Sequence, residues 1–68
     1  MNVKEIGKFI KGRRSVLRLQ QADLAELSNV SLRTIIQIEN GVGNPSIDTL
    51  NKIGEVLGYE IQFTVKGK

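Results

Sequence analysis

The sequence predicts an all-α bundle of four helices followed by a C-terminal β-strand, and three observations carry that expectation. Apolar residues recur at helical spacing from Val3 to Leu17. Two short segments between Gln20 and Gly41 are delimited by capping residues and joined by a sharp corner. Beyond Gly58 the apolar period changes to two. Residues 1–58 are expected to form one packed domain and residues 59–68 a tail with a separate role. A chain of 68 residues buries only about 60% of its unfolded surface, so the core is thin and stabilisation by a partner is expected.

Composition narrows the function classes. The chain has no cysteine and no histidine, which excludes disulfide staples, thiolate or imidazole metal ligands and the usual nucleophilic triads. No cofactor, no metal and no enzymatic activity are expected. No apolar run approaches the roughly 18 residues of a membrane span, and the N-terminus lacks the apolar segment of a signal peptide, so a cytoplasmic location is the default. The net charge of +3 is unevenly placed. Between Met1 and Arg18 six basic residues face one glutamate, a net +5, whereas the remainder carries four basic and six acidic residues, a net −2. The first helix is therefore a cationic face. It suits a polyanion such as DNA, or it is simply a solvated basic helix.

In that first helix Val3, Ile6, Phe9, Ile10 and Leu17 form the apolar stripe, which Gly7 and Gly12 weaken by about 1 kcal/mol each relative to alanine. Arg14 falls on the same inner stripe and needs a matched charge there. The second helix, Gln20 to Ser28, presents Leu24, Ala25 and Leu27 inward and Asp23 and Glu26 to solvent. Ala25 is small, as a steep helix crossing requires. Asn29 is the most tolerant non-glycine residue for a left-handed corner. Ser31 then caps a third helix, Val30 and Ile35 are spaced as a hydrophobic staple, and Gly41 stands where a helix-ending glycine belongs.

The third helix has an unusual outer face. Ile35 and Ile38 point one way, while Leu32, Arg33, Ile36, Gln37 and Asn40 fall opposite. Two apolar residues, a guanidinium and two amides are the inventory needed to read base edges in a DNA major groove. Arg33 is expected to contact guanine O6 and N7, and Gln37 adenine N6 and N7. Leu32 and Ile36 either meet thymine methyl groups or pack on a neighbouring protein. Thr34 either joins the cap or touches phosphate. Lys4, Lys8, Lys11 and Arg13 are phosphate ligands or solvated charges.

Pro45 and Ser46 open a fourth helix with Asp48 near its positive end and Ile47, Leu50, Ile53 and Leu57 as its core stripe, ended by Gly58. In the tail, Tyr59, Ile61, Phe63 and Val65 alternate with polar residues, the pattern of a half-buried strand. Such a strand has no intramolecular mate. It pairs with a second copy across a two-fold axis or remains a frayed tail. Asp23 and Glu26 are solvated surface, and Gly41-Val42-Gly43 is a loop with no preceding strand to make it a phosphate cradle.

Gln21 to Ala25, Val30-Ser31, Ile35 to Gly41 and Pro45 to Leu50 together resemble the helix-turn-helix domain of the phage-repressor family, the Cro- and lambda-repressor-like or xenobiotic-response-element group. The resemblance holds in register from Ile6 to Gly58. It implies that Ser31 to Asn40 is a recognition helix, with Leu32 and Arg33 in its first turn and Gln37 one turn on. It implies phosphate contacts for Gln21 and Asn40, alongside Ser31, and a partly buried Arg14 to Glu39 ion pair. Gln20 departs from the family's serine or threonine, Asn29 from its turn glycine, and Arg18 from a glycine, adding a phosphate contact. The family continues with a fifth helix where this chain has its tail; the tail is similar to that of HipB-type antitoxin repressors. The implied function is a homodimeric repressor binding double-stranded DNA at a pseudo-palindromic operator, its recognition helices roughly 34 Å apart. An antitoxin with a toxin partner, or a helix-turn-helix module serving protein contacts, are the competing expectations.

Overall fold

The computed structural model describes residues 1–67; Lys68, the last residue of the expected tail, lies outside the described residues. Four helices follow in chain order: α1 (Val3–Val16), α2 (Gln21–Ser28), α3 (Leu32–Glu39) and α4 (Ile47–Leu57). The helix α1 packs chiefly across α3, while α2 packs on both α3 and α4. One core results, built from Ile10, Leu24, Val30, Ile35, Ile38, Leu50, Ile53 and Leu57, with Ala25 packed against it.

Local chemistry fixes each helix end. Asn2 and Glu5 form a reciprocal capping box on α1, both bonds 2.9 Å long. The Asp23 carboxylate accepts the Gln20 backbone N–H at 2.8 Å, which starts α2 despite the missing serine or threonine. Asn29 adopts the left-handed conformation, φ 59°, as the corner requires. Ser31 and Ser46 cap α3 and α4, accepting the backbone N–H of Thr34 and Thr49. Beyond α3, Gly41 at φ 73° completes a Schellman turn: its N–H reaches the Ile38 carbonyl and that of Val42 the Gln37 carbonyl, each at 3.0 Å. The same turn ends α1, with Arg18 at φ 58° where the family has glycine. That geometry costs a side chain about 1–2 kcal/mol.

Three expected core residues are not in the core. Leu17 is the C-cap residue beyond the last turn of α1 and is exposed. Leu27 is 62% exposed; Ser28 takes the inner place on α2, its buried hydroxyl donating to the Leu24 carbonyl at 2.6 Å. Ile47, in the first turn of α4, is half exposed at the rim of a groove described below. Gly7, read in the sequence as a weakness, is where α1 and α3 approach most closely: a Cβ there would collide with the Ile38 carbonyl oxygen.

The expected C-terminal strand does not form among the described residues. Its first residue instead folds back on α4. The Tyr59 N–H reaches the Gly54 carbonyl at 3.2 Å, its hydroxyl donates to the Leu50 carbonyl at 2.6 Å, and its ring meets Phe9 edge-on with centroids 5.4 Å apart. Gly54 permits this, since a Cβ there would sit 2.7 Å from the Tyr59 oxygen. Tyr59 and Ile61 are thus half-buried on their own subunit, whereas Phe63 and Val65 are 87% and 92% exposed.

Substituting alanine for Gly7 should destabilise the fold. Overpacking against a backbone oxygen costs about 1–3 kcal/mol, which outweighs the helix-propensity gain of about 1 kcal/mol. Gly12→Ala, with nothing within 4 Å of the added Cβ, should gain most of that propensity. Urea midpoints moving in opposite directions are the expected readout. Burial pushes the Tyr59 phenol up from 10.0 to about 12. The folded chain therefore holds a proton that the unfolded chain releases between those values, and stability falls as pH rises from about 10 to about 12. Denaturation of wild type minus that of Tyr59→Phe, in which lysine titrations cancel, should show that loss in the wild type alone.

Candidate nucleic-acid interface

The eight residues of α3 are too few to hold a helix in water alone, where roughly 12–15 are marginal. Packing from behind must hold it. Ile35 is fully buried and Ile38 nearly so. At the end of the same face the Glu39 carboxylate, with its side chain only 1% exposed, receives the Arg14 fork through Nε at 2.7 Å and Nη2 at 2.9 Å. Gln21 adds its side-chain N–H at 3.0 Å, and the remaining Arg14 nitrogen donates to the Leu19 carbonyl at 2.8 Å. The hydrogen bond to Glu39 is the main reason the Arg14 pKa is raised. One carboxylate thus ties α1, α2 and α3 together. Gln21, expected on phosphate, has its amide nitrogen committed to this cluster.

With the inner face anchored, the outer face of α3 is free. Arg33 and Gln37 are exposed, and Leu32 and Ile36 are 43% and 37% exposed. The four lie together because positions three and four apart share a helix face. Among the described residues Arg33 pairs with no carboxylate. Guanidinium, carboxamide and two branched apolar groups therefore stand side by side on a convex ridge, able to enter a groove and match donors, acceptors and methyl groups there.

The residues expected at phosphates divide. The Ser31 hydroxyl donates to Thr34 Oγ1 at 2.9 Å, so Thr34 belongs to the cap of α3. Arg18 and Asn40 are exposed, at the ends of α1 and α3 respectively. Arg13 is turned inward: Nε and Nη2 donate to the Leu57 carbonyl at 3.1 and 2.6 Å, closing the C-terminal end of α4, where a cation opposes the helix dipole. No local signal in the sequence separates Arg13 from its neighbours, because its acceptor lies 44 positions away. Of the cationic face, Lys4, Lys8, Lys11 and Arg18 remain exposed. Lys4 and Lys8 line a small niche with Asn40 and Gly41 at the end of α3, and the Glu39 charge beside them is already neutralised by Arg14.

Two short helices joined by a left-handed corner, the second anchored from behind and presenting a mixed polar and apolar ridge, define a helix-turn-helix domain. The chain belongs to the Cro- and lambda-repressor-like helix-turn-helix family: the family model described as Helix-turn-helix matches residues 17–63. It is 35% identical over 60 residues to an immunity repressor protein of Bacillus phage phi105, covering 88% of this chain and 42% of that protein. It is 38% identical over 51 residues to an uncharacterized HTH-type transcriptional regulator of Mycobacterium tuberculosis, covering 75% of this chain and 36% of the regulator. The chain thus spans less than half the length of either relative. No helix among the described residues is long and apolar enough to cross a membrane.

Removing the Glu39 carboxylate, as in Glu39→Ala, should destabilise by about 3–5 kcal/mol, because Arg14 is left partly buried without its partner. Asp48→Ala removes the exposed Lys52–Asp48 pair at 3.7 Å and should cost about 0–1 kcal/mol. Chemical denaturation of the two variants side by side measures the contrast.

Proposed function

We propose that the chain binds double-stranded DNA through the outer face of α3 and represses transcription as a homodimer at a pseudo-palindromic operator. The observation that carries this reading is the exposure of Leu32, Arg33, Ile36 and Gln37 on a helix anchored only from its opposite side. Those four residues meet base edges, with Arg33 on guanine and Gln37 on adenine. Arg18, Ser31, Asn40 and the Lys4–Lys8 niche meet the flanking phosphates, and the free carbonyl end of Gln21 lies beside them. The names of the relatives, an immunity repressor and a transcriptional regulator, support regulation. A two-fold dimer through the segment from Tyr59 to Val65 presents two copies of α3 to successive turns of one duplex face, roughly 34 Å apart. The antitoxin reading rests on the likeness of the tail alone, so repression is the reading carried forward.

Arg33→Ala and Lys8→Ala separate base reading from phosphate binding. Selection from a random DNA library supplies the operator. Arg33→Ala should then weaken operator binding about 5- to 150-fold, the equivalent of about 1–3 kcal/mol, and relax selectivity at one position in each half-site. Lys8→Ala should weaken all sequences alike and reduce the slope of log affinity against log salt by about one. Equal binding of wild type and Arg33→Ala to selected and scrambled duplexes would remove α3 from the interface.

A further inference from the structure

The backbone of residues 60–67 makes no hydrogen bond among the described residues, the last being the Tyr59 N–H to Gly54. Within this segment Gln62 donates to the Glu60 carboxylate at 2.9 Å, which puts those two side chains on one side, while Ile61 between them is half-buried on the other. That is the alternation of an extended strand. The apolar side continues through Phe63 and Val65, both almost fully exposed. It borders an apolar groove of about 480 Å³ between α1 and the start of α4, lined by Ile6, Phe9, Ile47 and Leu50, with Phe63 at its mouth. Phe63 borders this groove and leaves it open.

We propose that the groove and the segment beside it are completed by a second copy of this chain, through an antiparallel two-stranded ribbon whose two-fold axis passes through Phe63. This rests on the homodimer proposed above and fixes its register. Strands related by a two-fold axis must pair antiparallel, and directly opposite residues share a face. Centring on Phe63 sets Ile61 against Val65 of the second copy, Gln62 against Thr64, and Glu60 against Lys66. Apolar meets apolar over both grooves, two amide–hydroxyl pairs form on the outer side, and two ion pairs close the ends. Registers centred between residues place polar opposite apolar. Centring on Ile61 demands Tyr59, which is already held by Leu50 and Phe9. Centring on Gln62 brings no opposite charges together, and centring on Thr64 opposes Ile61 to Gly67, which has no side chain to offer. Opposite charges and apolar pairs directly across strands favour pairing, and like charges oppose it.

The absence of native cysteine makes the register directly measurable in the full chain. A residue on the axis faces its own counterpart at a Cα separation of about 4.5–5.5 Å, within disulfide range. Its counterparts two positions along are displaced by about 7 Å more along the strand. Single variants Gln62→Cys, Phe63→Cys and Thr64→Cys, oxidised at a concentration where sedimentation shows a dimer, should therefore link efficiently only at position 63. Independently, Glu60→Lys and Lys66→Glu should each weaken the dimer about tenfold, since each creates two repelling pairs, and the double reversal should restore it. Efficient linking at another position, or a double reversal no better than the singles, overturns the register and leaves the dimer standing. A wild-type chain that sediments as a monomer at every concentration overturns the dimer itself, while the Arg33 test of DNA contact is unaffected.

Discussion

The Glu39 carboxylate sets the position of everything that faces outward. An eight-residue helix presenting its ridge to a ligand can be gripped only from the rear, and apolar packing by Ile35 and Ile38 resists separation better than it resists sliding or rotation. A carboxylate receiving a planar fork has a defined direction. Arg14 and Gln21 together supply three donors to it at 2.7–3.0 Å from two other helices. Gly7 lets α1 approach until its backbone lies against the end of α3. The ion pair then sits where relative motion of the two helices would break it. Burying such a pair adds little net stability over apolar residues of the same size. Its contribution here is orientation, the quantity a reading helix needs.

The cations of α1 are divided between that task and the surface by their chemistry. Arg13 and Arg14 each satisfy inward acceptors with more than one nitrogen, the Leu57 carbonyl in one case and the Glu39 carboxylate in the other. A planar guanidinium can do this, and an ammonium cannot do it with the same geometry. The three lysines of α1 are left exposed as compact, strongly hydrated charges. Half of a cationic helix is thus structural, and the polyanion-facing charge is smaller than the +5 counted along the segment.

How much of this was legible in the chain follows from the range of each interaction. The caps at Ser31 and Ser46, the left-handed Asn29 and the glycine turn at Gly41 are set within four or five residues, and the structure has them all. The ridge on α3 was legible because its residue types are unusual for a solvated face. Arg14 stood out as a charge on an apolar stripe, although Glu39 as its partner came from family likeness. Leu17, Leu27 and Ile47 failed because the period of a short helix leaves its boundary positions free to fall either way, and neighbours distant in sequence decide. Gly7, Gly54 and Arg13 gave no sign of their roles, since each depends on a tertiary contact.

The tail failed as an intrachain strand for a related reason: alternation specifies a surface and leaves open what covers it. Tyr59 is captured by its own subunit, which fixes the direction in which the following residues leave α4. In the proposed dimer that capture matters more than the pairing energy. A strand hinged loosely to its domain would join two copies of α3 at no fixed separation, and the second would gain only the effective concentration of a flexible link. With Tyr59 held against Leu50 and Phe9, the ribbon and the helices move as one body. The spacing of the two ridges is then a property of residues that never approach the duplex, and the match to one helical turn is set at the groove between α1 and α4.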